Sequence, residues 1–173
     1  MEKVLFKEEQ RFTQGWIWYV IVICIWGPVL FPVYSLMNER GNDSADIWEL
    51  LFVLFLVIFL ALGFTWLFVK MKLMLEINTD GIRFKFFPFH LKYKDIKKEE
   101  IERFEVRTYR PVSEYGGWGI KGGKKSKGMA YNVRGNIGLQ LYLKTGKKIL
   151  FGTQKKQAIE RAMNKLIQKE KNN

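Results

Sequence analysis

Hydrophobic positions along this chain follow three successive patterns. Two runs, Gly15 to Asn38 and Leu50 to Val69, carry no charged residue at all. A hydrocarbon core of roughly 30 Å takes about 20 helical residues, so both runs predict membrane helices. The polar link NERGNDSAD between them predicts an antiparallel transmembrane α-hairpin over 16–69, after a cytoplasmic leader over 1–15. Pro28 and Pro32 would kink the first helix, which a neighbouring helix can tolerate by re-satisfying the freed carbonyls. Trp16, Trp18, Tyr34, Trp48 and Trp66 lie toward the ends of the runs, where amphipathic rings prefer the interface.

After residue 70 the period changes to two. Leu73, Leu75 and Ile77 alternate with Met74 and Glu76, and Ile82, Phe84 and Phe86 alternate with Arg83 and Lys85. Asn78-Thr79-Asp80-Gly81 between these runs is a hairpin signal. HLKYK, ERFEVRTY, AYNV, IGLQLYLK and KILFG bring the expected strands to about seven. The last segment changes period again. Ala158, Ile159, Ala162, Met163, Leu166 and Ile167 form one apolar helical face, suited to packing on the open end of a small β structure or to lying on a membrane. Thr153 is a candidate N-cap, and 169–173 is a basic tail.

Charge sharpens this division. Residues 70–173 hold 25 Lys and Arg against 10 Asp and Glu, whereas residues 1–69 hold 4 and 7. Lys3, Lys7 and Arg11 precede the first run, Arg40 alone lies in the link, and Lys70 and Lys72 follow the second. The positive-inside bias therefore predicts a multi-pass protein of the cytoplasmic membrane with both termini in the cytoplasm. The leader mixes charge signs and no small-x-small cleavage site follows, which argues against a signal peptide. Cys24 is the only cysteine and His90 the only histidine, so neither a disulfide nor a cysteine-based zinc site can form within one chain.

The stretch SEYGGWGIKGGKKSKG, Ser113 to Gly128, contains a G-x-G-x-x-G spacing at Gly117, Gly119 and Gly122. A dinucleotide site needs a following helix and an acid about 20 residues on. Here a basic loop runs into a strand, and no acid occurs between Glu114 and Glu160. The Walker A spacing also fails, since its first glycine falls on Trp118. Glu99 and Glu100 are adjacent and would face opposite sides of a strand. The expectation is therefore a non-enzyme without a cofactor or metal. Gly116, Gly117 and Gly119 free the backbone. Tyr115, Trp118 and Ile120 either pack back onto the domain or face a protein or membrane partner. Lys121, Lys124, Lys125 and Lys127, with Lys70 and Lys72, are candidates to face anionic lipid.

Seven strands followed by one amphipathic helix is the order of elements in a pleckstrin-homology-like barrel. The runs TYRPVSEYGGWGIKGG and GMAYNVRGNIGLQLYLKTGKKILFGTQKKQAIERAM resemble an uncharacterised family of bacterial membrane proteins. In that family two helices precede such a domain. The resemblance covers about residues 70–168 and implies a fold and a location, but no reaction. Many lipid-binding domains of this class place basic residues in the first hairpin loop, which here is NTDG, so inositol phosphate recognition does not follow. The reading is a membrane-anchored, non-catalytic scaffolding module with a membrane or cytoplasmic protein partner. The alternatives are an anionic-lipid sensor and, more remotely, an accessory subunit of a membrane enzyme. Nucleic acid has little support, because no RNP, zinc-finger or helix-turn-helix pattern is present.

Overall fold

The computed structural model describes residues 3–31, 33–34, 44–123 and 127–168. The chain forms two compact units, one of Met1–Phe12 with Met71–Asn173, the other of Thr13–Lys70.

The first unit holds two separate sheets. One is ordered β1-β2-β3-β4, with β1 at Val4–Arg11, β2 at Lys72–Asn78, β3 at Gly81–Phe87 and β4 at Lys94–Lys97. The other is ordered β5-β8-β9-β7-β6. Its strands are β5 (Ile101–Thr108), β6 (Gly119–Gly122), β7 (Met129–Asn132), β8 (Ile137–Leu143) and β9 (Lys148–Gly152). All pairings are antiparallel except β7 with β9.

Among the described residues no ladder joins the sheets, so the closed pleckstrin-homology-like barrel expected from the sequence is not formed. The cause lies after β4, a strand of only four residues. A 3-10 turn at Lys98–Glu100, in which the Glu100 carboxylate accepts the Lys97 backbone N–H at 3.1 Å, takes the chain out of the first sheet. β5 then pairs with β8 and not with β4.

The alternating residues Leu73, Leu75, Ile77, Ile82, Phe84 and Phe86 point into the core and are buried. Fully burying one such side chain is worth about 1.5–3 kcal/mol. The ring of Phe84 lies 4.8 Å from that of Tyr131 and 4.7 Å from that of Phe151, joining β3 to β7 and β9 across the core. The C-terminal helix, Lys156–Gln168, buries Ile159, Ala162, Met163 and Leu166. It packs against β1 and β2 of one sheet and β5 and β8 of the other.

The supposed leader supplies β1, an edge strand paired with β2 from Val4↔Asn78 to Arg11↔Lys72. Its inward side chains include Glu8 and Gln10, both buried. Gln10 Nε2 donates to the Gly152 carbonyl at 2.6 Å. Glu8 accepts from Thr153 Oγ1 at 2.6 Å and from the Gln154 N–H at 2.9 Å. Thr153 Oγ1 in turn accepts the Lys155 N–H, just ahead of the C-terminal helix.

In the second unit, α1 (Gly15–Ile21) gives way to a π segment at Val22–Trp26 and a 3-10 turn at Gly27–Val29. Pro28 has no N–H to offer the Cys24 carbonyl, and the ladder shifts to a wider spacing, with the Gly27 N–H bonded to the Val22 carbonyl. Among the described residues the apolar helix in this run is Trp18–Val29, shorter than a bilayer crossing needs. One helix among the described residues is long and apolar enough to cross a membrane, Ile47–Lys70. It lies within α2, Ser44–Lys70. The expected transmembrane hairpin of two spanning helices is therefore not supported, and most of the polar link lies outside the described residues. Trp26 Nε1 donates to Thr65 Oγ1 at 3.2 Å, and that hydroxyl donates to the Ala61 carbonyl at 2.7 Å.

The buried contacts of Glu8 predict an asymmetry along β1. Glu8→Ala leaves two donors without their acceptor and should cost about 1–3 kcal/mol. Glu9→Ala breaks only exposed pairs to Arg11 and Lys72 and should cost about 1 kcal/mol or less. Thermal unfolding in detergent, followed by near-UV circular dichroism, compares the two. Equal losses would contradict the tie between β1 and the start of the C-terminal helix.

Candidate binding face around the glycine loop

The stretch that carries the glycine spacing begins on a one-turn helix, α3 (Pro111–Tyr115), opened by Pro111 and closed by Gly116 in the left-handed region at φ 76°. Gly117 and Gly119 follow at φ 124° and 114°. A residue with a Cβ is strained in such conformations, so these glycines reverse the chain into β6. The Gly119 N–H donates to Asn132 Oδ1 at 2.9 Å, and Asn132 Nδ2 donates to the Tyr109 hydroxyl at 3.0 Å. Burial pushes the Tyr109 phenol up to about 12, so it stays protonated as part of this network.

Tyr115 is buried and packs with Tyr109, Ala130 and Leu150. Trp118 is half-buried, and its Nε1 donates to the Gly135 carbonyl at 3.2 Å. Ile120 is half-buried on β6, with Lys121 exposed beside it. β6 ends the second sheet, and among the described residues its outer edge carries no further strand. The positions with surface to offer a partner are thus Trp118, Ile120, Lys121 and the backbone of β6. Tyr115 holds the loop from beneath.

Next to this loop lies a charged cluster that the sequence does not reveal. Arg107 Nη2 meets Glu114 Oε2 at 2.9 Å, and Lys127 Nζ meets the same oxygen at 3.1 Å. The Arg110 backbone N–H donates to Glu114 Oε1 at 2.8 Å. Burial works against ionisation of Glu114, but the bonds from Arg107, Arg110 and Lys127 outweigh it and hold the carboxyl down at about 2. With Gln140, Tyr142 and Lys148, these side chains line a cavity of about 200 Å³. Arg103 stacks over the Tyr142 ring at 3.4 Å.

Within the first unit, the described candidate lipid-facing lysines belong to two different sheets. Lys72 opens β2 in the first sheet and pairs with Glu9 at 3.3 Å. Lys121 lies on β6 and Lys127 in the β6–β7 turn of the second sheet, where Lys127 is tied to Glu114. Lys70 is the last residue of α2, while Lys124 and Lys125 lie outside the described residues. Gly128 fixes the return of this turn at φ 81°, where a Cβ would collide with the Lys148 carbonyl.

A larger cleft of about 530 Å³ lies at the β2–β3 turn. Asp80, Arg83, Asp95, Lys97, Lys98 and Glu99 line it with both signs of charge, and Arg83 meets Asp95 at 2.9 Å. Among the described residues no three His, Cys, Asp or Glu side chains gather as metal ligands. His90 sits in an aromatic cluster, its ring centroid 6.0 Å from that of Phe84 and 5.7 Å from that of Tyr131. Burial, then the Lys94 charge, pushes its pKa down.

The Glu114 cluster predicts a pH dependence. Its carboxyl ionises more readily in the folded chain than in the unfolded one, from 4.5 down to about 2. The stabilisation is therefore present above about pH 4.5 and lost as pH falls toward 2. Acid titration of unfolding stability should show this slope in the parent and a flatter one in Glu114→Gln. Identical slopes would contradict the assignment. A scan against family models matches none, and searches of curated proteins and of solved structures likewise give no match.

Proposed function

We propose that this protein is a membrane-held binding module. Segment 13–70 fixes the two-sheet domain at a lipid surface, and the domain takes a protein partner on the β6 edge beside Trp118 and Ile120. The observation that carries the reading is the β1–β2 register. Arg11 pairs with Lys72, so the chain leaves the sheet after Phe12 and returns to it at Met71. What lies between is overwhelmingly apolar. α2 exposes Phe52, Phe55, Phe59, Leu60, Leu62, Phe64 and Trp66, and a helix apolar on all sides needs either a protein core or lipid around it. Because both ends belong to one sheet, the segment enters the lipid and leaves it on the same face. Lys3, Lys7 and Arg11 before the segment, and Lys70 and Lys72 after it, support the cytoplasmic side for that face.

Binding, and not catalysis, fits the side chains near the loop. Glu114 is neutralised by two cations, and the one histidine sits among aromatic rings. An unpaired strand edge can take an extended segment of another chain through backbone hydrogen bonds, with neighbouring side chains setting the choice. β6 offers such an edge, held in shape by the Gly119–Asn132–Tyr109 network.

A photoreactive residue at position 121, introduced in cells, tests this directly. It should yield a discrete protein adduct that the same residue at exposed position 144 does not. Identical adducts from both positions, or lipid adducts alone from 121, would remove β6 as a protein-binding edge.

A further inference from the structure

The β3–β4 turn, Pro88 to Tyr93, presents a second apolar surface. Phe89 is 58% exposed and Leu91 73% exposed, while His90 between them turns inward. The turn is pinned from beneath. The His90 N–H donates to the Phe86 carbonyl at 2.8 Å, and its ring packs on Phe84 and Tyr131. The ring of Phe89 rests 6.2 Å from that of Phe86. Alternation around a fixed inward residue thus drives two large apolar side chains outward together. Leaving them in water has no structural benefit, since neither fills the core.

The position of this turn says what covers it. Lys72 pairs with Phe87 as well as with Arg11, so the turn beginning at Pro88 sits at the end of the sheet where the chain departs at Phe12 and returns at Met71. Exposed Lys92 and Lys94 follow the apolar pair, and Lys85 lies 5.8 Å from the Phe87 and Tyr93 rings. The nearby acid, Asp95, is bonded to Arg83. Met129, also exposed, is two residues from Tyr131 on the same face of β7.

We propose that the β3–β4 turn is a lipid anchor, with Phe89 and Leu91 inserted at the membrane interface and Lys92 and Lys94 on anionic headgroups. The inference rests on the membrane reading above and adds a second attachment, which fixes how the domain stands on the surface. Apolar side chains bordered by lysines bind interfaces through the sum of buried area and attraction to anionic lipid.

The test uses the full chain with Cys24→Ser, reconstituted in phosphatidylcholine vesicles containing phosphatidylglycerol. A nitrobenzoxadiazole label is placed by Phe89→Cys, Leu91→Cys, Lys144→Cys or Phe59→Cys, and lipids brominated in the acyl chain serve as quenchers. Labels at 89 and 91 should be quenched about twofold or more beyond the label at 144. Lys92→Glu with Lys94→Glu should reduce quenching at 89 and leave it unchanged at 59. Quenching at 59 with none at 89 or 91 overturns the anchor alone. No quenching at 59 overturns the membrane reading and the anchor with it. A blue-shifted label at 89 that brominated lipid does not quench assigns the turn to protein contact and also overturns the anchor.

Discussion

The antiparallel pairing of β1 with β2 is the constraint on which the rest of this structure depends. Two segments separated by residues 13–70 meet in register along their length, so forming the first sheet closes a long loop. Closing such a loop has an entropic cost that grows only slowly with its length. The buried bonds of Glu8 and Gln10 to residues 152–154 help to offset it. Those same bonds tie β1 to the far end of the chain, where the C-terminal helix spans both sheets. The domain cannot be complete without its first strand, and the apolar segment cannot be separated from it. The apolar segment is a loop closed by the domain's own first sheet.

Polar side chains facing inward explain why this strand escaped a reading of the sequence. VLFKEEQR alternates in burial but not in hydropathy, because Glu8 and Gln10 occupy positions where Leu or Val would have signalled a strand. Where the inward residues are apolar, the pattern was legible. The NTDG turn joins β2 to β3, and the apolar stripe from Ala158 to Ile167 lies on the C-terminal helix. The first apolar run misled for a different reason. Its length suffices for a membrane helix, but the missing donor at Pro28 interrupts the helical ladder, which composition alone does not show. Barrel closure was equally invisible, since it turns on the short 3-10 segment that ends β4. HLKYK, read as a strand, is mostly the exposed turn, and β4 begins only at Lys94.

The glycine stretch shows how far local sequence reaches. Its glycines do serve a reversal of the chain, as their φ values require. Its lysines were visible as charge, but their partners were not. Lys127 and Arg107 converge on Glu114 only because β5, α3 and the β6–β7 turn are brought together by pairing across the second sheet. The apolar pair at Phe89 and Leu91 gave no sequence signal beyond hydrophobicity. What distinguishes it is exposure, and that depends on His90 turning inward.

The central claim is that an apolar excursion leaves the first sheet and returns to it on one face of a membrane. Sided labelling of Arg11→Cys and of Lys72→Cys, each in a Cys24→Ser chain, tests it most directly. A membrane-impermeant maleimide would be applied to right-side-out and to inverted vesicles. The account predicts that both positions react in inverted vesicles and that neither reacts in right-side-out ones. Reaction of the two positions from opposite faces would contradict it.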